Sequence, residues 1–333
     1  MKKVNESIRD QVSDLIIANS LTISEFALEK DFIVTEVLHA ISEINNDKFD
    51  LVFCGGTCLS KAYGLLDRIS EDIDIKLVPK NGVSLSKNHR KNTISKLKNE
   101  IINALVEVGF NEQDILLQAG DSNTYVVFTA IYLSHFEISE SMRATMKLEL
   151  NAAELSLPSV SLDIGYLFNQ LLGIEDVNKK KMLCVNIQEA LVEKLVSFPR
   201  RLALHLTDPK RFELDKALVR HLFDVSRIIV ADSRHVDLNV LAPLIARTLD
   251  NDAKDFATQH PKFLKSPINE ITNAMNVAKS EPPYRRMYDD FIKVMVYGTH
   301  VPTFEEAINN FEALLMAILP PIRTNYLHHR PSQ

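Results

Sequence analysis

Residues 53–78, FCGGTCLSKAYGLLDRISEDIDIKLV, constrain this chain more than any other stretch. The apolar run Leu51-Val52-Phe53-Cys54 is short and ends at turn residues, which predicts a buried strand. It stops at Gly55-Gly56, where glycine permits both a sharp bend and a close backbone approach. Helical spacing follows over residues 59–66. DIDIKLV at 72–78 then alternates with period two. That pattern predicts a half-buried strand, with Ile73 and Ile75 inward and Asp72, Asp74 and Lys76 on the opposite face.

A helix opening after a glycine turn offers unpaired N–H groups and a positive dipole end to an anion such as phosphate. Thr57 and Ser60 add hydroxyls close by; a plain tight turn is the simpler alternative. Asp72 and Asp74 repel each other at this spacing, and a divalent cation relieves the repulsion. Paired hard oxygens suit Mg²⁺ (or Mn²⁺), which takes one or two carboxylates together with substrate phosphates. For the pair alone, a solvated strand face is the alternative. Lys147-Leu148-Glu149-Leu150 alternates in the same way, so Glu149 is either a third site carboxylate or an ordinary surface-strand acid. Arg68 and Ser70 precede the acidic strand, within reach of a triphosphate or simply as a loop charge and a turn serine. Lys194, among Leu191, Val192, Leu195 and Val196, borders the buried face of an amphipathic helix, where a lysine either snorkels or offers a point charge to phosphate. Asp224 follows Arg220 at the spacing of an i,i+4 ion pair.

The remaining chain reads as helices over 8–44, with Ser24 as an N-cap, then a strand-rich middle, then a helical half. Strands are predicted at 125–132, 145–150 and 182–187, and an amphipathic helix at 93–108 after a polar loop over 79–91. Residues 188–319 have helical periodicity, with breaks at Pro199, Pro209, Pro243, Pro261, Pro267 and Pro282-Pro283. Only 9 glycines in 333 residues argue against a mainly parallel α/β enzyme rich in tight turns. The fold class is therefore α+β, divided as an N-terminal helical segment 1–48, a core 49–187 and an all-α domain 188–333. With 46% hydrophobic residues, general disorder is excluded. A net charge of −6 excludes a uniformly basic nucleic-acid-coating protein. Lys179-Lys180-Lys181, Arg200-Arg201, Lys210-Arg211 and Arg285-Arg286 form an RNA path if they converge, and solvated surface otherwise. Three cysteines without a CxxC pair fit a reducing cytoplasm, with Cys54 and Cys58 as core thiols. No signal peptide and no membrane-length apolar run is read, and His328-His329 reads as a polar tail.

GGTCLSKAYGLLDRISEDIDI resembles the signature of the AbiEii/AbiGii nucleotidyltransferase toxins, close to GGT-x-L-S-K-x-x-x-x-x-x-R-x-S-x-D-I-D. These belong to the polymerase-β-like nucleotidyltransferase superfamily, in which a glycine turn precedes metal-bearing aspartates on the next strand. EALVEKL at 189–195 and RHLFDV at 220–225 resemble the family's third and fourth motifs, and the likeness extends over about residues 50–318. The resemblance implies a polymerase-β-like core that takes an NTP with Mg²⁺ on Asp72 and Asp74. Gly55, Gly56, Thr57 and Ser60 would cradle the triphosphate, Glu149 would complete the acidic set, and Lys194 and Asp224 would be active-site residues. It also implies an RNA acceptor, first of all the 3′ end of tRNA, and a cognate antitoxin, usually DNA-binding. His221 departs from the family, standing where an acid is usual; a hydrogen bond across the helix interface is its expected role. Transfer to a protein side chain or small molecule, and a non-catalytic nucleotide-binding regulatory module, are the competing readings.

Overall fold

Alternating apolar residues build the sheet that carries the acidic strand. In this computed structural model, which describes residues 1–19, 23–83, 86–120, 123–138 and 142–329, seven strands form one mixed sheet. They are β1 (Phe49–Cys54), β2 (Asp72–Pro79), β3 (Ile115–Gly120), β4 (Tyr125–Ile131), β5 (Thr145–Ala152), β6 (Val160–Ile164) and β7 (Lys180–Cys184), in the order β3-β4-β5-β2-β1-β7-β6. β2 pairs parallel with β5 and β1 parallel with β7; the other pairs are antiparallel. Ile73, Ile75 and Leu77 on β2, Met146, Leu148 and Leu150 on β5, and Val126, Phe128 and Ala130 on β4 are all buried. Each of these except Ala130 contributes about 1.5–3 kcal/mol by leaving water. Helix α2 (Glu25–Ser42) packs on β2 and β5 and against α4 (Lys87–Glu107). The predicted cap is present, with the Ser24 hydroxyl accepting from the Ala27 N–H. Helices α1 (Glu6–Asn19), α3 (Gly55–Lys61) and α5 (Leu167–Leu172) complete the helices of this region.

The chain forms two compact units: residues 1–186 with 295–297, and residues 187–294 with 298–333. The second unit is helical, from α6 (Ile187–Thr207) and α7 (Arg220–Ala231) through α8 (Leu238–Asp255), α9 (Pro261–Lys265), α10 (Pro267–Ser280) and α11 (Pro282–Met295) to α12 (Phe304–His329). Within it α6 packs on α7, α8 and α10, and α12 on α7 and α8. Among the described residues no helix is long and apolar enough to cross a membrane.

Several elements differ from the sequence-based expectation. α4 begins at Lys87, because the Ser86 hydroxyl caps a first turn too polar to show periodicity. Residues 84–85 of the expected loop lie outside the described residues, as do the side chains of His328 and His329. α3 ends at Lys61, short of the spacing expected to residue 66. The strand expected at 182–187 is Lys180–Cys184, since α6 already begins at Ile187. Pro199 and Pro243 lie inside α6 and α8 rather than breaking them. An interior proline costs roughly 3 kcal/mol; buried Leu195, Phe198 and Leu202 in α6, and Leu241, Leu244 and Ile245 in α8, hold those helices together across it. Pro261, Pro267 and Pro282 instead start helices, where the missing N–H has no intrahelical partner to lose. β3 and β6 have no clean alternation in sequence, so periodicity does not mark them.

Leu148 on the interior strand β5 is 0% exposed, whereas Leu116 on edge strand β3 is 57% exposed. Leu148→Ala is expected to lower unfolding free energy by about 2–5 kcal/mol, and Leu116→Ala by less than about 0.5 kcal/mol. Urea denaturation of the two variants checks the contrast.

Candidate active site

Strand register places the acidic residues. Asp74 stands opposite Cys54, the residue before the glycine turn, on one side and opposite Glu149 on the other. Asp72 pairs with Lys147. Asp72, Asp74 and Glu149 therefore share the face of the sheet opposite the Ile73 and Leu148 core. Gly55 has φ +76°, the left-handed region that favours glycine. A Cβ at Gly55 would collide with the Asp74 carboxylate, so Asp74 faces the bend and lies directly on its backbone. At Gly56 a Cβ would strike the Arg68 guanidinium and come within 3.3 Å of the Ser70 hydroxyl. The close approaches that the sequence assigned to a ligand are thus made, in part, by the chain's own Asp74 and Arg68.

The hydroxyls near the turn have internal partners. Thr57, buried, donates to the carbonyl of Asp72 and shares a 2.8 Å hydrogen bond with the Ser70 hydroxyl. Ser60 is 2.9 Å from the carbonyls of both Leu66 and Arg68. Arg68 is buried, donates through Nη1 to the Ile69 carbonyl at 2.9 Å, and bridges to Val296. Thr57, Ser60, Arg68 and Ser70 accordingly lock α3 to the following loop, around a crevice that admits little more than a water. In this structure the Thr57 and Ser60 hydroxyls bond backbone carbonyls, and Thr57 and Ser70 bond each other.

Each outer carboxylate carries a counter-charge. Arg143 donates from Nη2 to Asp72 Oδ1 at 2.6 Å, and lies 3.5 Å from Glu71 Oε1. Glu149 pairs with the Lys147 ammonium and accepts from the Tyr125 hydroxyl at 2.7 Å. Partial burial, then the hydrogen bond to Glu149 and the charges of Asp74 and Asp72, push the Tyr125 hydroxyl well above its usual range, so it remains a donor. The sequence offered no sign of Arg143, Lys147 or Tyr125 as site residues, because only tertiary contacts bring them to Asp72 and Glu149. Among the described residues no group of three His, Cys, Asp or Glu side chains is arranged as a ready-made metal cage. The donor set nevertheless fits Mg²⁺, which needs only one or two carboxylates beside waters and phosphates. Arg143 and Lys147 balance the charge of Asp72 and Glu149.

In the second unit Lys194 Nζ donates to Asp224 Oδ2 at 2.7 Å, with the two side chains 7% and 0% exposed. The two motif residues therefore meet as a buried ion pair, rather than as a snorkelling lysine and a surface i,i+4 pair with Arg220. His221 does not make the expected hydrogen bond through Nδ1, which is sealed from solvent and has no partner among the described residues. Burial, then the positive charges of Lys194 and Arg220, hold its pKa well below the ordinary 6.5. The basic clusters are largely matched by acids. Lys179 lies 3.2 Å from Asp163, Lys180 2.9 Å from Glu43, and Arg201 3.0 Å from Asp215. Arg200 pairs with Asp252 at 2.8 Å over the Phe256 ring, and Arg285 pairs with Glu305. Cys54, Cys58 and Cys184 are buried thiols outside any disulfide, and burial pushes Cys58 far upward, as a core thiol requires.

The family model described as "Nucleotidyl transferase AbiEii toxin, Type IV TA system" matches residues 40–310. No curated protein matches. Among solved structures the chain is similar to MenT4, a nucleotidyltransferase toxin from Mycobacterium tuberculosis H37Rv. The two are 19% identical with a TM-score of 0.45, over 74% of this chain and 72% of that one.

Gly55→Ala is expected to destabilise the fold by at least about 1–2 kcal/mol from the left-handed backbone alone, and to displace the Asp74 carboxylate. A thermal melt and the chemical shifts around Asp74 would register both effects. His221 refuses a proton that the unfolded chain accepts, so the folded state should lose stability as pH falls below about 6.5. His221→Gln should flatten that loss by up to about 1.4 kcal/mol per pH unit, measured by urea unfolding at pH 7 and pH 5.

Proposed function

The chain belongs to the AbiEii nucleotidyl transferase toxins of type IV toxin–antitoxin systems, and from that premise we propose that it transfers a nucleoside monophosphate from an NTP to a hydroxyl of RNA. The acceptor is the 3′ end of tRNA, the consequence is blocked translation, and a cognate antitoxin opposes it. The observation that carries this reading is the register of β2, which sets Asp74 between the glycine turn and Glu149. In the reaction the acceptor oxygen bonds the α-phosphorus, the bond to the bridging oxygen breaks, and pyrophosphate departs with its charge. Asp72 and Asp74 would hold Mg²⁺ (or Mn²⁺), which when bound would supply positive charge against that growing on the pyrophosphate.

Glu149 either joins that ligand set or takes the acceptor's proton, and the Tyr125 hydroxyl holds its carboxylate in place meanwhile. Backbone at Gly55 and Gly56 faces the phosphates, on a turn kept rigid by Thr57, Ser60, Arg68 and Ser70. Lys194 and Asp224 enter as active-site residues through the family's third and fourth motifs. The exposed pairs of the basic clusters are individually worth about 0–1 kcal/mol, so an RNA backbone can displace their acids.

Incubation with each labelled NTP, with and without total tRNA, tests the acceptor. Label should move to tRNA; label on protein or small molecules selects that chemistry instead, and binding without transfer a regulatory module. Asp72→Ala and Asp74→Ala should each reduce transfer by about 100-fold or more and abolish growth inhibition, with circular dichroism unchanged. Full toxicity in both variants would falsify metal-dependent transfer.

A further inference from the structure

Arg143 differs from the other charged groups around the acidic strand in how it is held. Its main chain is clamped at both ends: its N–H donates to Glu71 Oε2 at 3.0 Å, and its carbonyl accepts from the Lys30 ammonium. Lys30 and Glu71 also pair with each other, with side chains 2% and 12% exposed. Glu71 thus has its own buried counter-ion and does not depend on the arginine for one. The Arg143 side chain, by contrast, is 48% exposed and held mainly at its tip, where Nη2 meets Asp72 Oδ1 at 2.6 Å. A flexible guanidinium on a fixed backbone therefore rests on a carboxylate of the acidic pair.

We propose that Arg143 has two positions: it neutralises Asp72 while that carboxylate holds no cation, and turns to the triphosphate of the NTP once Asp72 is engaged. This rests on the proposed nucleotidyl transfer. A cation held by Asp72 would stand within a few ångströms of the guanidinium that lies 2.6 Å from Oδ1, and like charges so close repel, which weakens the Arg143 contact. Once released, the planar fork of Arg143 matches phosphate oxygens two at a time. The exchange moves only side-chain torsions, because Glu71 and Lys30 retain the backbone and each other. Arg143 is accordingly a nucleotide-positioning residue whose resting partner is the ligand that the cation needs.

Two binding measurements on the full chain separate this from an ordinary surface ion pair. The first is Mn²⁺ affinity without nucleotide, read by electron paramagnetic resonance. The second is affinity for the four α,β-methylene NTP analogues with Mg²⁺, which cannot transfer. For Arg143→Gln, Mn²⁺ should bind about 3–10-fold tighter because its competitor is gone, while the preferred analogue should bind about 10-fold weaker. Arg143→Lys should restore part of both, and Asp72→Asn should lose Mn²⁺ binding. If wild type binds both probes and Arg143→Gln changes neither, or shifts both in the same direction, the two-position role is overturned and nucleotidyl transfer stands. If wild type binds neither probe, both fall together.

Discussion

Repulsion among carboxylates held in strand register is the constraint to which the rest of the first unit responds. Asp72 and Asp74 are separated by one residue on β2, and Glu149 is fixed beside Asp74 by the parallel pairing of β2 with β5. Hydrogen bonds of the ladder and the buried Ile73, Ile75, Leu148 and Leu150 hold this register. A slip of one residue would send the acids into the core and the isoleucines to the open face, so apolar burial on one side of the sheet enforces charge crowding on the other. The crowding is relieved from outside the strand, by Arg143 on Asp72 and by Lys147 and Tyr125 on Glu149. Such relief comes from side chains whose contacts are exchangeable, as the proposed binding of a cation and a triphosphate requires.

Charges elsewhere are buried and play another part. Lys30 with Glu71, and Lys194 with Asp224, are pairs taken almost wholly out of water. Removing one member of such a pair typically costs about 3–5 kcal/mol, because the other is left buried and alone. That is a large share of the roughly 5–15 kcal/mol that stabilises a domain. These pairs fix geometry, and the half-exposed Arg143 can move because they do not. The glycine turn is similarly rigid: Gly55 accommodates the Asp74 carboxylate, Gly56 the Arg68 guanidinium, and Thr57 and Ser60 tie the helix to its following loop.

Local signals therefore carried much of the architecture. The acidic strand, the glycine turn and the Ser24 cap depend on residues close together in the chain, whose spacing and hydrogen-bonding chemistry act over a few positions. β3 and β6 were not legible for the same reason in reverse. β3 lies at a sheet edge with most of its residues exposed, and β6 lies at the other edge, so neither needs clean alternation. Pro199 and Pro243 looked like breaks because proline disfavours a helix locally, whereas packing on both sides outweighs that penalty.

By itself the sequence determined the α+β class, the strand that presents Asp72 and Asp74 together, and the bend before it. Each follows from periodicity or from the conformational freedom of glycine. Only the tertiary structure decided that Glu149 stands beside Asp74, that Arg143 rests on Asp72, that Tyr125 donates to Glu149, and that Lys194 meets Asp224. Those neighbours come from strand order and helix packing between residues 24 to 75 positions apart. Charge and hydrogen-bonding groups act through space, and a linear pattern records only what lies along the chain.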